Sequence, residues 1–119
     1  MATFSKSILS ASTDGKGIKV VATATAGTTI HTGSATAATL HEVWLYAVNT
    51  SASNVKLTVE WGEATAPDGN IEFTVPTEAG LYLIVPGLIL KGNATPLVIK
   101  AFAATANVIV MHGYVNVIA

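Results

Sequence analysis

The sequence has no cysteine and no arginine, and only 11% of its residues are charged. The lack of cysteine excludes a disulfide framework, a thiolate metal site and a cysteine nucleophile. The six basic residues are all lysines and stand against seven acidic residues, so the net charge is −1. Proteins that bind nucleic acid through its phosphates carry a basic surface, so this charge balance argues against a nucleic-acid partner.

Long apolar segments are also absent, although half of the residues are hydrophobic. The longest run, Leu81 to Leu90, is ten residues long and is interrupted by Pro86 and Gly87. A membrane-spanning helix needs about 20 apolar residues, and the first residues lack the charged and then apolar order of a secretory signal. We therefore expect no membrane partner and no secretion by a signal peptide. A chain this apolar and this poor in charge is expected to fold rather than to remain disordered.

The apolar residues recur at the period of a β-strand. From residue 18 onward, alternating or continuously apolar segments are separated by turns rich in glycine, proline and asparagine, and no segment has a helical period. This pattern predicts an all-β protein with a single β-sandwich, jelly-roll-like as first choice and immunoglobulin-like as the alternative. The polar residues 1–17 are predicted to form an N-terminal arm, and residues 18–119 the sandwich domain.

One segment, residues 40–49, is apolar on both faces. One face carries Leu40, Trp44, Tyr46 and Val48, and the other carries Val43, Leu45 and Ala47. Such a pattern is typical of a central strand that is covered on both sides. Residues 55–61 alternate between apolar and polar, and we expect them to pair with this strand in a hairpin. Pro86 and Gly87 are expected to end a strand that begins at Leu81.

The three histidines, His31, His41 and His112, are the only side chains that ordinarily titrate near neutral pH. A zinc site needs three or four ligands, and these histidines lie on segments far apart in the sequence. We therefore expect hydrogen-bonded or surface histidines and no metal site. A small hydrolase that uses them is kept as a further hypothesis.

A loose group of carboxylates surrounds one predicted hairpin. Its members are Glu60, Glu63, Asp68, Glu72 and Glu78. Paired carboxylates hydrolyse glycosides when a cleft holds them at a defined separation. Glu60 and Glu72 alternate with large apolar residues, so we expect both on solvated strand faces. The sequence accordingly predicts no catalytic residue, no cofactor and no enzymatic activity.

The apolar content exceeds what one interior can hide. Residues 40–49 and 108–118 are apolar on both faces, yet a two-layer sandwich has only one interior. One of these surfaces then needs cover from another copy of the chain or from a partner protein, so we predict a homo-oligomer or a complex. The predicted interface consists of Phe4, Ile8, Leu9, Trp44, Leu45, Tyr46, Val108 and Met111.

Five aromatic side chains offer an alternative use of the apolar strands, as a platform for a sugar. They are Trp44, Tyr46, Trp61, Tyr82 and Tyr114. All five lie within apolar strand patterns, so packing in the core or in an interface is the expected role. A carbohydrate- or receptor-binding module is kept as the alternative function.

Three strand-and-loop stretches are distinctive: residues 12–20 (STDGKGIKV), 42–51 (EVWLYAVNTS) and 55–62 (VKLTVEWG). Together they resemble small structural proteins from the virions of tailed bacteriophages. The resemblance implies a non-enzymatic β-sandwich located in the virion. The closest role is a capsid decoration, or cement, protein that binds the major capsid protein or other virion proteins, often as a trimer, with its N-terminal arm gripping the shell. A tail or neck component is the alternative within the same resemblance.

Overall fold

The computed structural model describes residues 2–77 and 80–119, and these residues form nine β-strands and no helix. The prediction of an all-β protein is confirmed. The strands are β1 (Phe4–Ile8), β2 (Ile18–Lys19), β3 (Thr28–Thr32), β4 (Leu40–Asn49), β5 (Val55–Trp61), β6 (Asn70–Val75), β7 (Tyr82–Lys91), β8 (Val98–Ala103) and β9 (Ile109–Ile118).

The strands form two antiparallel sheets. In sheet A, β1 and β2 pair with the same edge of β9, followed by β4 and β7, while sheet B has the order β3-β8-β5-β6. Four strand pairs nest inside one another along the chain: β2 with β9, β3 with β8, β4 with β7, and β5 with β6. A long hairpin rolled up in this way is a jelly roll, so the first-choice fold applies and not the immunoglobulin-like alternative.

The core lies between the two sheets and is filled by one face of each central strand. From Val43 to Asn49, β4 alternates strictly between buried and half-buried residues, because successive side chains of a strand point to opposite faces. The largest buried apolar side chains are Leu9, Ile30, Leu45, Leu57, Ile99, Ile109 and Met111. The opposite faces of β4 and β9 do not contribute to this core and point out of the sandwich.

Two local predictions are wrong. Residues 40–49 and 55–61 do not form a hairpin, because β4 belongs to sheet A and β5 to sheet B, so the chain crosses between the sheets. Pro86 and Gly87 do not end a strand, because β7 continues through them to Lys91. Pro86 is tolerated because β7 is an edge strand whose register against β4 shifts near this residue.

The segment predicted as an N-terminal arm contributes to the sandwich. β1 pairs with the C-terminal half of β9, from Phe4 opposite Ile118 to Ile8 opposite Tyr114. The side chain of Leu9 is buried in the core. This segment therefore supplies an edge strand of sheet A, next to β9.

Candidate functional site

The two outer faces of the sandwich differ in chemistry. On sheet B the outward residues include Lys56, Glu72, Thr74 and Lys100, and Lys56 forms an exposed ion pair with Glu72 at 3.2 Å. On sheet A the outward residues are mostly apolar or aromatic. An antiparallel sheet with one solvated face normally carries polar side chains there, so sheet A is the unusual one.

The outer face of sheet A is defined by the cross-strand register, because residues directly opposite each other in an antiparallel pair point to the same side. It comprises Phe4, Lys6 and Ile8 of β1; Lys19 of β2; Leu40, Glu42, Trp44, Tyr46 and Val48 of β4; Leu83, Pro86, Ile89 and Lys91 of β7; and Val110, His112, Tyr114, Asn116 and Ile118 of β9. Its residues on β4 and β9 are half-buried, whereas Phe4 is 71% and Ile89 47% exposed at the two edges. The result is a mainly apolar surface that spans four strands and faces solvent.

β1 shows the same preference in its own alternation. Its apolar residues Phe4 and Ile8 share the outer face with Tyr114, whereas Ser5 and Ser7 point to the side of the core. A strand that contacted only the core would have its apolar residues on the core side and its serines on the outer side. A shift of the pairing register by one residue would produce that arrangement, because it exchanges the two faces of a strand. β1 is therefore patterned for contact on the outer face.

A small polar network lies within this apolar surface. The indole Nε1–H of Trp44 and the amide Nδ2–H of Asn116 both donate to Oε1 of Glu42, each at 2.8 Å. These two hydrogen bonds lower the pKa of Glu42, so it is a carboxylate at neutral pH. The ring of Tyr114 stacks beside that of Trp44, with the ring centroids 6.1 Å apart. The Nζ atom of Lys6 lies 5.0 Å from the centroid of the Tyr114 ring.

A groove of about 410 Å³ lies beside the network. It is lined by Phe4, Ser5, Lys6, Glu42, Asn116 and Ile118. The lining presents one carboxylate and one ammonium between apolar walls. A single carboxylate does not supply the acid and base pair that glycoside hydrolysis uses, so the groove is suited to binding rather than to that reaction.

Two of the three histidines meet at one end of the sandwich and connect the sheets. The backbone N–H of Ser10 donates to Nδ1 of His31 at 3.0 Å, so the ring proton of His31 is on Nε2. This Nε2–H donates to Nδ1 of His41 at 2.9 Å, and both rings are neutral in this arrangement. His112 does not join them, because it lies opposite Tyr46 on the outer face of sheet A.

The histidine pair predicts a loss of stability in mild acid. Burial, and secondarily the neighbouring His41 ring, lower the pKa of His31 from 6.5 to about 4. Because the folded pKa is depressed, the unfolded chain binds more protons between these two values, and stability falls as the pH drops from 6.5 to about 4. The expected loss is about 3 kcal/mol, measured by urea unfolding at a series of pH values.

A His31→Gln variant removes the titrating group, so the fall in stability below pH 6.5 should be much smaller in that protein. His112→Gln is the matched control, since it leaves the pair intact and should keep the fall. Equal pH dependence of unfolding in the wild type and both variants would contradict the role of the pair.

The structure divides the predicted interface residues into two groups. Phe4, Ile8, Trp44 and Tyr46 lie on the outer face of sheet A. Leu9, Leu45 and Met111 are core residues that are 1% exposed or less, so a partner cannot reach them and they are removed from the interface. Val108 is half-buried and packs against the core just before β9.

Contrary to the expectation for the carboxylates, Glu60 is buried, with 1% exposure. Its carboxylate accepts hydrogen bonds from the hydroxyl of Thr25 and, at 2.7 Å, from the backbone N–H of Gly27. The loop between β2 and β3 supplies both donors and covers this part of sheet B. Glu72 is exposed, as expected, and Glu78 lies outside the described residues.

The aromatic side chains separate in the same way. Trp44, Tyr46 and Tyr114 belong to the outer face of sheet A, whereas Trp61 and Tyr82 pack against the core. An aromatic platform for a sugar would therefore lie on sheet A and would not include Trp61.

Sequence patterns did not point to Lys6, Glu42 and Asn116. These residues lie side by side on β1, β4 and β9, with Lys6 opposite Asn116 and Asn116 opposite Glu42. Only the register of three strands brings together positions so far apart in the chain. The local signal is limited to Glu42 in an otherwise apolar alternation on β4, and to His112 and Asn116 in that of β9.

Comparison with known proteins found no family model, no curated protein and no solved structure that matches the chain. Within residues 2–77 and 80–119, no group of three or more His, Cys, Asp or Glu side chains could hold a metal ion. The same part of the chain contains no helix long and apolar enough to cross a membrane. The outer face of sheet A is the surface whose chemistry calls for an explanation.

Proposed function

We propose that this protein is a structural component of a tailed-phage virion, and specifically a capsid decoration protein that binds the major capsid protein or a neighbouring virion protein. In this role it stabilises the shell by burying the outer face of sheet A. Phe4 and Ile8 of the N-terminal segment lie in that contact. The function involves no chemical reaction and no cofactor.

One observation supports the proposal most strongly: the outer face of sheet A carries large apolar or aromatic side chains on β1, β4, β7 and β9, while the outward residues of sheet B are mostly polar or charged. Burial of apolar surface contributes about 2.5 kcal/mol per 100 Å² before the costs of association are subtracted. An isolated chain gains nothing from such a face. Contiguous apolar patches on a protein surface mark sites of interaction.

The jelly roll supports the proposal by analogy of fold. This architecture occurs in viral capsid domains and also in lectins, and a fold alone does not determine a function. The stretches that resemble virion proteins include β2 and β4 of sheet A and β5 of sheet B. The resemblance therefore spans both sheets and includes β4, a central strand of the apolar face.

Purified particles of the phage should contain this chain in the proportion of a shell protein. We expect on the order of hundreds of copies per particle, in a fixed ratio to the major capsid protein, because decoration follows the symmetry of the shell. Quantitative mass spectrometry of purified virions measures this ratio. About a dozen copies or fewer would indicate the tail or neck alternative, and absence from particles would refute a virion role.

The same measurement on an Ile8→Lys protein tests the role of the face. A charge at this position should lower the copy number, because it would be buried against an apolar partner. Leu88→Lys is the matched control: Leu88 is 43% exposed against 47% for Ile8, but it lies opposite Val43 and so points away from the outer face. Equal occupancy by both variants would count against this face.

The carbohydrate-binding alternative is favoured by one observation: Glu42, which lines the groove, accepts a hydrogen bond from Trp44, and the ring of Trp44 stacks with that of Tyr114. Aromatic rings next to a carboxylate and an amide can accept a sugar ring together with its hydroxyl groups. Binding of the purified chain to glycans, lost on Trp44→Ala with the fold intact, would favour this alternative over decoration.

A further inference from the structure

Lys6, Asn116 and Glu42 form one row across the outer face of sheet A, perpendicular to the strands. The two charged residues stand on either side of Asn116, roughly 10 Å apart, because neighbouring strands are about 4.8 Å apart. Within the part of the chain that the structure describes, the ion pair between Lys56 and Glu72 is the only one. Lys6 and Glu42 can therefore each pair with an opposite charge on another molecule.

The rows on either side have the same arrangement about β9. One row runs Phe4, Ile118, Leu40, and the other runs Ile8, Tyr114, Trp44. In both rows an apolar residue of β1 and an apolar residue of β4 flank a residue of β9. β1 and β4 thus carry similar apolar side chains at equal distances from β9, with opposite charges in the row between them.

We infer that the outer face of sheet A binds a second copy of this chain face to face. The two copies are related by a two-fold axis that runs parallel to β9 and lies between the two facing copies of sheet A. This rotation places β1 of one copy over β4 of the other and leaves β9 facing β9. Lys6 of each copy then lies over Glu42 of the partner subunit, and Phe4 and Ile8 lie over apolar residues. Lys19 of β2, at the far end of the same column, lies over the row of Val48. The inference rests on the proposed use of this face for association: in the free protein the second copy covers the face, and the pair has to separate before the same face binds the shell.

The charges select this axis over its alternative. A two-fold axis that crossed the strands along the same row would place Lys6 over Lys6 and Glu42 over Glu42, and like charges in contact oppose association. Sheets that pack face to face lie within about 30° of each other. A rotation of that size leaves the row of Lys6 and its two neighbouring rows close to register.

The area of the face is close to that needed for a specific pair. The strands that overlap in the pair form three columns: β1 with β2, β9, and β4. Together the three columns are about 14 Å wide. β4 and β9 are each ten residues long, or about 34 Å. Since β1 and β2 together have seven residues, the flat footprint is roughly 450 Å² on each copy. The total of about 900 Å², before side-chain relief is counted, lies close to the bound of about 1,000 Å² for a specific interface.

Two charge-reversal variants test the inference. Lys6→Glu and Glu42→Lys each place like charges opposite each other twice in the pair. We expect the wild-type chain to form dimers in sedimentation equilibrium and each variant to associate at least about tenfold more weakly. In a mixed dimer of the two variants both opposite-charge contacts are restored, so an equal mixture should recover association close to that of the wild type.

Lys16→Glu is the matched control, because Lys16 is exposed in the loop between β1 and β2, outside the outer face, and undergoes the same change of charge. It should leave association unchanged. If Glu42→Lys does not fold, Lys6→Glu still tests the inference, since Lys6 lies on the exposed edge strand β1. Unweakened association of Lys6→Glu, or a mixture of folded variants that does not recover, would overturn it.

The oligomeric state of the wild-type chain separates this inference from the proposed function. A chain that stays monomeric at millimolar concentration, or that forms the trimer implied by the resemblance, overturns the two-fold pair. If such a chain is nevertheless present in hundreds of copies per virion, decoration stands without the pair. A dimer that is absent from virions supports the pair and refutes decoration.

Discussion

Replacement of Gly113 by alanine is expected to destabilise the fold by more than about 3 kcal/mol. Gly113 lies in the middle of β9, opposite Leu45 of β4. A Cβ at this position would overlap the backbone carbonyl of Trp44. Because that carbonyl belongs to a strand paired on both sides, it cannot move aside without breaking the pairing of β4. Urea unfolding followed by circular dichroism measures the loss.

Gly80→Ala is the matched control, because a Cβ at Gly80 meets no atom of the described residues within 4 Å. Its free energy of unfolding should stay within about 0.5 kcal/mol of the wild type. An unchanged unfolding midpoint for Gly113→Ala would mean that β4 and β9 do not pair in this register. The outer face of sheet A would then not exist in the form on which the proposed function depends.

Loss of the Glu60 carboxylate is expected to lower the free energy of unfolding by about 2–3 kcal/mol. Glu60→Gln keeps the size of the side chain but replaces one acceptor oxygen with an NH₂ group. The side chain can then no longer accept from both the Thr25 hydroxyl and the Gly27 N–H with separate oxygens. Urea unfolding should show the loss, and the Gly27 amide should exchange its hydrogen faster.

Glu72→Gln makes the same chemical change on an exposed strand. The ion pair of Glu72 with Lys56 has side chains that are 51% and 55% exposed, and a surface pair of this kind contributes less than about 1 kcal/mol. Glu72→Gln should therefore unfold nearly as the wild type does. Equally small losses in the two variants would show that the loop between β2 and β3 does not cover Glu60.

The class of fold follows from alternation and turns that are visible in the sequence, but the strand partners do not. Residues 40–49 are predicted as a central strand, and β4 does lie between β9 and β7. The predicted hairpin with residues 55–61 fails because consecutive strands of a jelly roll mostly lie in opposite sheets. Nearness in the chain favours a hairpin, whereas here the apolar faces of the two strands lie on opposite sides of the core.

The outer face is only partly predictable for a related reason. A strand that is apolar on both sides does not reveal which side faces the core, so both Trp44 and Leu45 enter the predicted interface. A usable signal lies two residues before Trp44. Its indole N–H needs an acceptor, and Glu42, on the same face of the strand, provides it. The contributions of Lys6 and Asn116 depend on register and have no counterpart in the local sequence.

Glu60 illustrates the opposite failure. Its alternation with Val59 and Trp61 places it correctly on the outer side of sheet B, and the expected exposure is wrong only because a loop covers that position. The loop is rich in alanine, threonine and glycine, a composition that gives no sign of a binding role. Coverage by a distant loop is a tertiary effect that strand periodicity cannot show.

The nesting of the strand pairs also sets an order of assembly. β5 and β6 are neighbours along the chain, whereas Ile18 finds its partner Met111 only after nearly the whole domain has been made. Closing long loops is slow, because chain entropy is lost before the distant contacts form. Growth outward from the β5–β6 hairpin brings β9 to β4 and to the N-terminal strands last. The outer face of sheet A is therefore complete only at the last step of folding, when β9 has joined β4 and the N-terminal strands.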